Sequence, residues 1–230
     1  MENQSFRKLK ANEIECRVAT VKAPKVEGNS CSGGGCSILL YKDARVDMRL
    51  LDEVFGMMGW KREHQTIDGR LYCTISVYDK ESGQWVSKQD VGVESYTEKE
   101  KGQASDSFKR AGFNWGIGRE LYTAPFIWIV PKDTEWRKTN QGYSPNVNLH
   151  VEEIGYTDDS ISYLRLADAS GAIRFEWGQS DAVGDACLEA SAAEDLTQLE
   201  AIYRKYEKKF KSNTYFINAV TKRKNELQAA

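Results

Sequence analysis

In VDMRLLDEVFG the apolar residues Val46, Leu50 and Val54 recur at every fourth position, which predicts a helix closed by Gly56. Beyond it the period drops to two. WKREHQTI, RLYCTISVYD and QWVSKQDVGV read as three strands, joined by an Asp68-Gly69 turn and by ESG. Asp-Gly between alternating runs is a hairpin signal, because a two-residue turn needs positive φ. Upstream, ANEIECRVATVKA carries an N-cap-like Asn12 and drifts into alternation, so a short helical turn runs into a strand. GNSCSGGGCS reads as a flexible loop and SILLYKDA as a strand.

The longest helical signal follows the three strands. Thr97 with Glu100 forms a capping-box pattern, opening a helix that runs to about Tyr122. Ala104, Phe108, Ala111 and Trp115 fall on one stripe, and Phe113 lies on the opposite side at about 100° per residue. FIWIV is a strand, and residues 131–146 form a polar loop expected to be mobile. VNLHVEEIGYT, ISYLRLADA and IRFEWG make a small β unit turning at Ala-Ser-Gly. From Ala182 the chain is helical, with LTQLEAIYRKYEKKF strongly amphipathic and SNTYFINAVTKRKNEL a second helix. The expected organisation is a core over residues 1–130, a loop and small β unit over 131–180, and a helical tail over 181–230.

Composition narrows the function classes without naming one. No run approaches the roughly 18 apolar residues that span a bilayer, and MENQSFRKLK has no apolar segment of signal type. Five cysteines are too sparse for a disulfide scaffold, so reduced thiols in a cytoplasm are expected. Residues 1–130 hold 19 Lys/Arg against 18 Asp/Glu, so any basic surface must be made by folding selected cations onto one face.

The glycine-rich stretches do not carry nucleotide chemistry. GFNWGIG follows a helix rather than a strand, and it is bulky where a dinucleotide needs close backbone approach. GNSCSGGGCS lacks the Lys-Ser/Thr of a phosphate loop. Cys31 and Cys36 have no second pair with which to hold zinc, and two histidines among dispersed acids build no catalytic constellation. No cofactor, metal or catalytic residue is expected. Lys109 and Arg110 remain: cations beside a buried stripe, with an aromatic at hand. Cations that neutralise phosphates next to rings that stack on unpaired bases suit a groove for single-stranded nucleic acid. The plainer alternative is a solvated pair flanking a core helix.

ASDSFKRAGFNWGIGRELY, residues 104–122, resembles the signature of phage single-strand annealing proteins of the Sak type, in the Rad52 superfamily of recombination mediators. GGG at 33–35, Tyr41, RLLDEVFGMMGW at 49–60 and DVG at 90–92 extend the resemblance in the same order, over about residues 12–130. It implies an α+β fold with a β-β-β-α core, an antiparallel sheet packed on a long helix. It also implies assembly into a homo-oligomeric ring or helical filament, without nucleotide hydrolysis, that holds single-stranded DNA in a positive groove with bases outward. The groove residues it implies are Arg17, Tyr41, Lys109 and Arg110. Phe113 stands where the eukaryotic branch has a further arginine, for which Arg119 is the substitute, and Lys80 is the candidate for an outer site.

The expectation is therefore a non-enzymatic annealing protein of phage recombination, working in the bacterial host cytoplasm and not at a membrane. A single-strand end protector that does not anneal, and an accessory subunit of a nuclease, are the alternatives. The tail is open to two readings: a helical pair packed on its own domain, or a module recruiting a host or phage single-strand-binding protein or exonuclease.

Overall fold

The computed structural model describes residues 5–28, 30–93, 99–140 and 142–229. Among the described residues the fold is α+β with antiparallel sheets and five α-helices. The chain forms two compact units: residues 1–15 with 40–123, and residues 16–39 with 124–230.

In the first unit, helix α1 (Ala44–Phe55) begins at Asp43, whose side chain accepts from the Arg45 amide, and stops at Gly56 with φ 73°. Its inward face holds Val46, Leu50 and Leu51. Strands β5 (Trp60–Ile67), β6 (Arg70–Asp79) and β7 (Gln84–Val91) form an antiparallel sheet in that order. The first turn has both Asp68 and Gly69 at positive φ, as the sequence pattern requires. Helix α2 (Lys99–Trp115) packs on β6 and β7, with Phe108 and Ala111 fully buried and Trp60 stacked on Phe108 at 6.2 Å. The Thr97–Glu100 capping box lies outside the described residues. The helix ends at Trp115, seven residues short of the expected Tyr122. Gly116 (φ 110°) and Gly118 (φ 72°) turn the chain out of the helix into a single 3-10 turn, Arg119–Thr123.

The second unit is built on a six-stranded sheet of order β13-β12-β11-β1-β4-β8. Its strands are β1 (Glu15–Lys22), β4 (Gly35–Tyr41), β8 (Ile127–Ile129), β11 (Leu149–Thr157), β12 (Ser160–Asp168) and β13 (Ile173–Gly178). The expected small β unit is thus part of a larger sheet. The sheet curls until its edges approach: Arg174 on β13 donates to the Val130 carbonyl just past β8 at 3.1 Å and pairs with Glu135 at 2.6 Å.

Two segments expected to be loops contain paired strands. Strands β2 (Lys25–Glu27) and β3 (Ser30–Ser32) pair around Gly28, and β9 (Trp136–Thr139) pairs with β10 (Gly142–Pro145). The glycines after β3 are there for packing. A Cβ on Gly34 would fall 2.7 Å from the Trp136 ring, and one on Gly35 would strike the Trp128 indole. Both tryptophans are distant in sequence, which is why the glycines read as flexibility.

The C-terminal segment packs as helices α3 (Asp181–Ala192), α4 (Leu196–Phe210) and α5 (Thr214–Ala229) on their own unit. Val183, Ala186, Ala190, Ala193, Leu199, Phe210 and Phe216 share one core with Tyr163 of β12. Asn213, fully enclosed between α4 and α5, accepts from the Tyr215 and Phe216 amides and donates to the Gly178 carbonyl at 3.3 Å. This favours the packed reading of the tail. Truncation after Ser180 removes every member of that core except Tyr163, so the remainder is expected to lose near-UV circular dichroism and to bind a hydrophobic dye. A truncated protein that keeps the parent's near-UV spectrum would show the tail to be dispensable for folding.

Candidate functional site

Tyr41 ends β4, and Lys109 sits in the middle of α2. They are 68 residues apart in sequence, yet the Lys109 ammonium donates to the Tyr41 hydroxyl and lies 4.0 Å from its ring centroid. A cation over an aromatic face is held by the ring's quadrupole. Arg110, one step around the helix, is half exposed, and its Nε is 3.3 Å from Asp90 Oδ1 on β7. Asn114 donates to the other oxygen of Asp90 at 3.3 Å and to the Gln89 carbonyl at 3.0 Å.

The end of α2 gathers two more cations. Arg119 donates through Nε to the Phe113 carbonyl and through Nη2 to the Asn114 carbonyl, both at 2.9 Å. Lys88 donates to the same Asn114 carbonyl at 3.0 Å and lies 4.4 Å from the Trp115 ring centroid. Unsatisfied carbonyls give a helix C-terminus partial negative charge, which draws cations to it. Lys88 escaped the sequence reading although strand parity could have found it. It pairs with Ile75 across the sheet, on the face covered by α2. Phe113, on the side of α2 opposite the buried stripe, is half buried: Tyr122 meets it edge-on at 4.9 Å and Arg119 lies 5.5 Å from its ring.

Two further candidates are not among these contacts. Lys80 is exposed in the β6–β7 turn that Asp79 organises by accepting from Glu81 and Ser82. Six residues of strand separate that turn from Asp90, about 20 Å at 3.3 Å per residue. Arg17 is the exposed third residue of β1, in the second unit. Among the described residues, no three His, Cys, Asp or Glu side chains converge to hold a metal, and no helix is long and apolar enough to cross a membrane.

Directly behind Tyr41 lies the most unusual feature of the first unit. Lys42, 7 % exposed, pairs with Asp47 of α1, which is wholly buried and whose Oδ2 has no hydrogen-bond partner among the described residues. Two glycines of the α2 segment make room for this pair. A Cβ on Gly112 would lie 2.5 Å from Asp47 Oδ1, and one on Gly118 would lie 2.5 Å from Lys42 Cε. Burial outweighs the neighbouring Lys42 ammonium and pushes the Asp47 carboxyl up to about 6.

Two outcomes follow. In a helix interior Gly→Ala ordinarily stabilises by about 1 kcal/mol, but Gly112→Ala is expected to lower the denaturation midpoint; a raised midpoint would contradict the packing described. The folded Asp47 carboxyl keeps its proton to a higher pH than an unfolded one near 3.9. From this group, stability accordingly rises as pH falls from about 6 to 4. Urea titrations at pH 7 and pH 5 are expected to show this gain in the parent relative to Asp47→Asn, and equal pH dependence in the two proteins would refute it.

Compared with known protein families, residues 7–141 match the family described as Rad52/22 family double-strand break repair protein. Comparison with curated proteins and with solved structures gives no match.

Proposed function

We propose, from the premise that this chain belongs to the Rad52/22 family of double-strand break repair proteins, that it binds single-stranded DNA and anneals complementary strands without hydrolysing nucleotide. Membership carries DNA binding and strand annealing in recombination and repair. The finer reading is a phage protein of the Sak type that acts as an oligomeric ring or filament in the host cytoplasm. In this reading β5, β6, β7 and α2 serve as the family's β-β-β-α core. The observation that carries the proposal is the Lys109–Tyr41 pairing, with Arg110 beside it, inside the matched region. Cation, ring and a second cation at one helix edge suit a phosphate backbone and a base. Nothing in the arrangement needs an acid, a base or a nucleophile. Arg17, Arg119 and Lys80 are proposed as further contacts, Arg119 with part of its donor capacity already committed to helix carbonyls.

Annealing of two complementary oligonucleotides, followed with and without magnesium and nucleotide, tests this directly. Equal acceleration in all conditions is expected. Binding without acceleration would make the protein an end protector, and no binding would leave the accessory-subunit reading. Lys109→Ala and Arg110→Ala are each expected to weaken binding evenly across sequences and to lower the salt slope by about 0.7. Unchanged affinity and slope in both folded variants would remove them from the interface. Tyr41→Ala is expected to cost about 1–3 kcal/mol of binding if a base stacks on the ring, and Tyr41→Phe much less. Equal losses in the two variants would assign the role to the hydroxyl.

A further inference from the structure

Tyr41 and Lys42 are consecutive residues at the end of β4, and both meet partners around one stretch of α2. Tyr41 takes Lys109, while Lys42 takes Asp47, whose carboxylate rests against Gly112, three residues along the same helix. Gly118 closes over the Lys42 stem from the segment that follows the helix. The Tyr41–Lys42 dipeptide is therefore held at both side chains, one pairing at the surface and one in the core.

The inner pairing is not explained by stability. Two charges with one carboxylate oxygen unsatisfied are a costly way to fill a core, and apolar residues of similar volume usually do as well or better. What an ion pair adds is direction. A charge-assisted hydrogen bond fixes one donor on one acceptor, where apolar side chains tolerate sliding. A slide of Lys42 along α1 would carry Tyr41 away from Lys109.

We propose that Lys42 and Asp47 are positioning residues for strand binding: their buried pair fixes the Tyr41-Lys42 dipeptide against α1 and α2, and so places Tyr41 beside Lys109. The inference rests on the reading of Tyr41 and Lys109 as DNA contacts. Neither Lys42 nor Asp47 touches the strand.

The test uses the full chain and a fluorescent oligothymidine at fixed salt, comparing the parent, Lys42→Met/Asp47→Leu, Lys109→Ala and the triple combination, each with its thermal melt. Lys42→Met/Asp47→Leu is expected to melt at or above the parent and to bind about tenfold more weakly. Adding Lys109→Ala to it is expected to weaken binding by much less than Lys109→Ala weakens the parent, since both changes act on one contact. Parent-like affinity in the folded apolar variant, or losses that simply multiply, would overturn the proposal. Should the apolar variant fail to fold, Asp47→Asn is read in the same cycle against the same outcomes. Parent-like binding by Lys109→Ala alone would instead remove the DNA-contact reading, and the positioning role with it.

Discussion

The first unit is arranged around a buried charge. Asp47 has no exposure, its partner Lys42 almost none, and one carboxylate oxygen has no donor among the described residues. A lone ion could not stay charged there, so the two must arrive together, which ties the end of β4 to the first turn of α1. Two glycines are then compelled, because any side chain at Gly112 or Gly118 would enter the space the pair fills. Gly118 also has the positive φ that a side chain would resist. The glycines of GFNWGIG thus have a cause in packing and in chain reversal, and the helix stops where they begin.

A second buried cation organises the other unit. Arg165 of β12 is enclosed between Glu153 and Glu176, and it reaches the Lys209 carbonyl of α4 at 3.3 Å. Glu176 also accepts from the Tyr163 hydroxyl at 2.7 Å, so one carboxylate joins two residues of β12. Asn213 then holds the α4–α5 connection to β13 through Gly178. Polar contacts of this kind are directional, and they fix how the helices sit on the sheet, while the apolar core of Tyr163, Phe210 and Phe216 supplies most of the burial.

Periodicity exposed local structure well and long-range structure poorly. The helix at 44–55, the three strands and their Asp-Gly turn were legible because hydrophobic period and turn chemistry are local signals. The stripe of Phe108 and Ala111 was legible for the same reason. Hairpins at 25–32 and 136–145 were not, since short polar strands carry no alternation strong enough to stand out from loop. Gly34 and Gly35 read as freedom because the rings they accommodate lie about a hundred residues away. Lys42–Asp47 was not legible, because nothing in KDARVD distinguishes a buried lysine from a solvated one. At the candidate site, Lys109 and Arg110 stood out only through the motif around them. Their meeting with Tyr41, and the arrival of Lys88 at the helix end, are products of the sheet.

A chain with net charge −2 makes an unpromising ligand for a polyanion if only the total counts. The total is the wrong quantity. Many of the acids are committed within the fold: Glu13 to Arg7, Glu135 to Arg174, Asp168 to Lys132, Glu189 to Lys205. Around the C-terminal half of α2, Lys109 meets Tyr41, Arg119 and Lys88 donate to backbone carbonyls at the helix end, and Arg110 pairs with Asp90. That pairing is 3.3 Å long and half exposed, a kind contributing about 0–1 kcal/mol. If Arg110 contacts DNA as proposed, a phosphate offers it a stronger partner with release of condensed counterions, and Asp90 then holds the guanidinium in place without competing seriously for it. Screening limits each distant acid to about 10 Å of influence at ordinary salt. In the proposed reading, what a strand meets is set by the helix edge rather than by the sum over the chain.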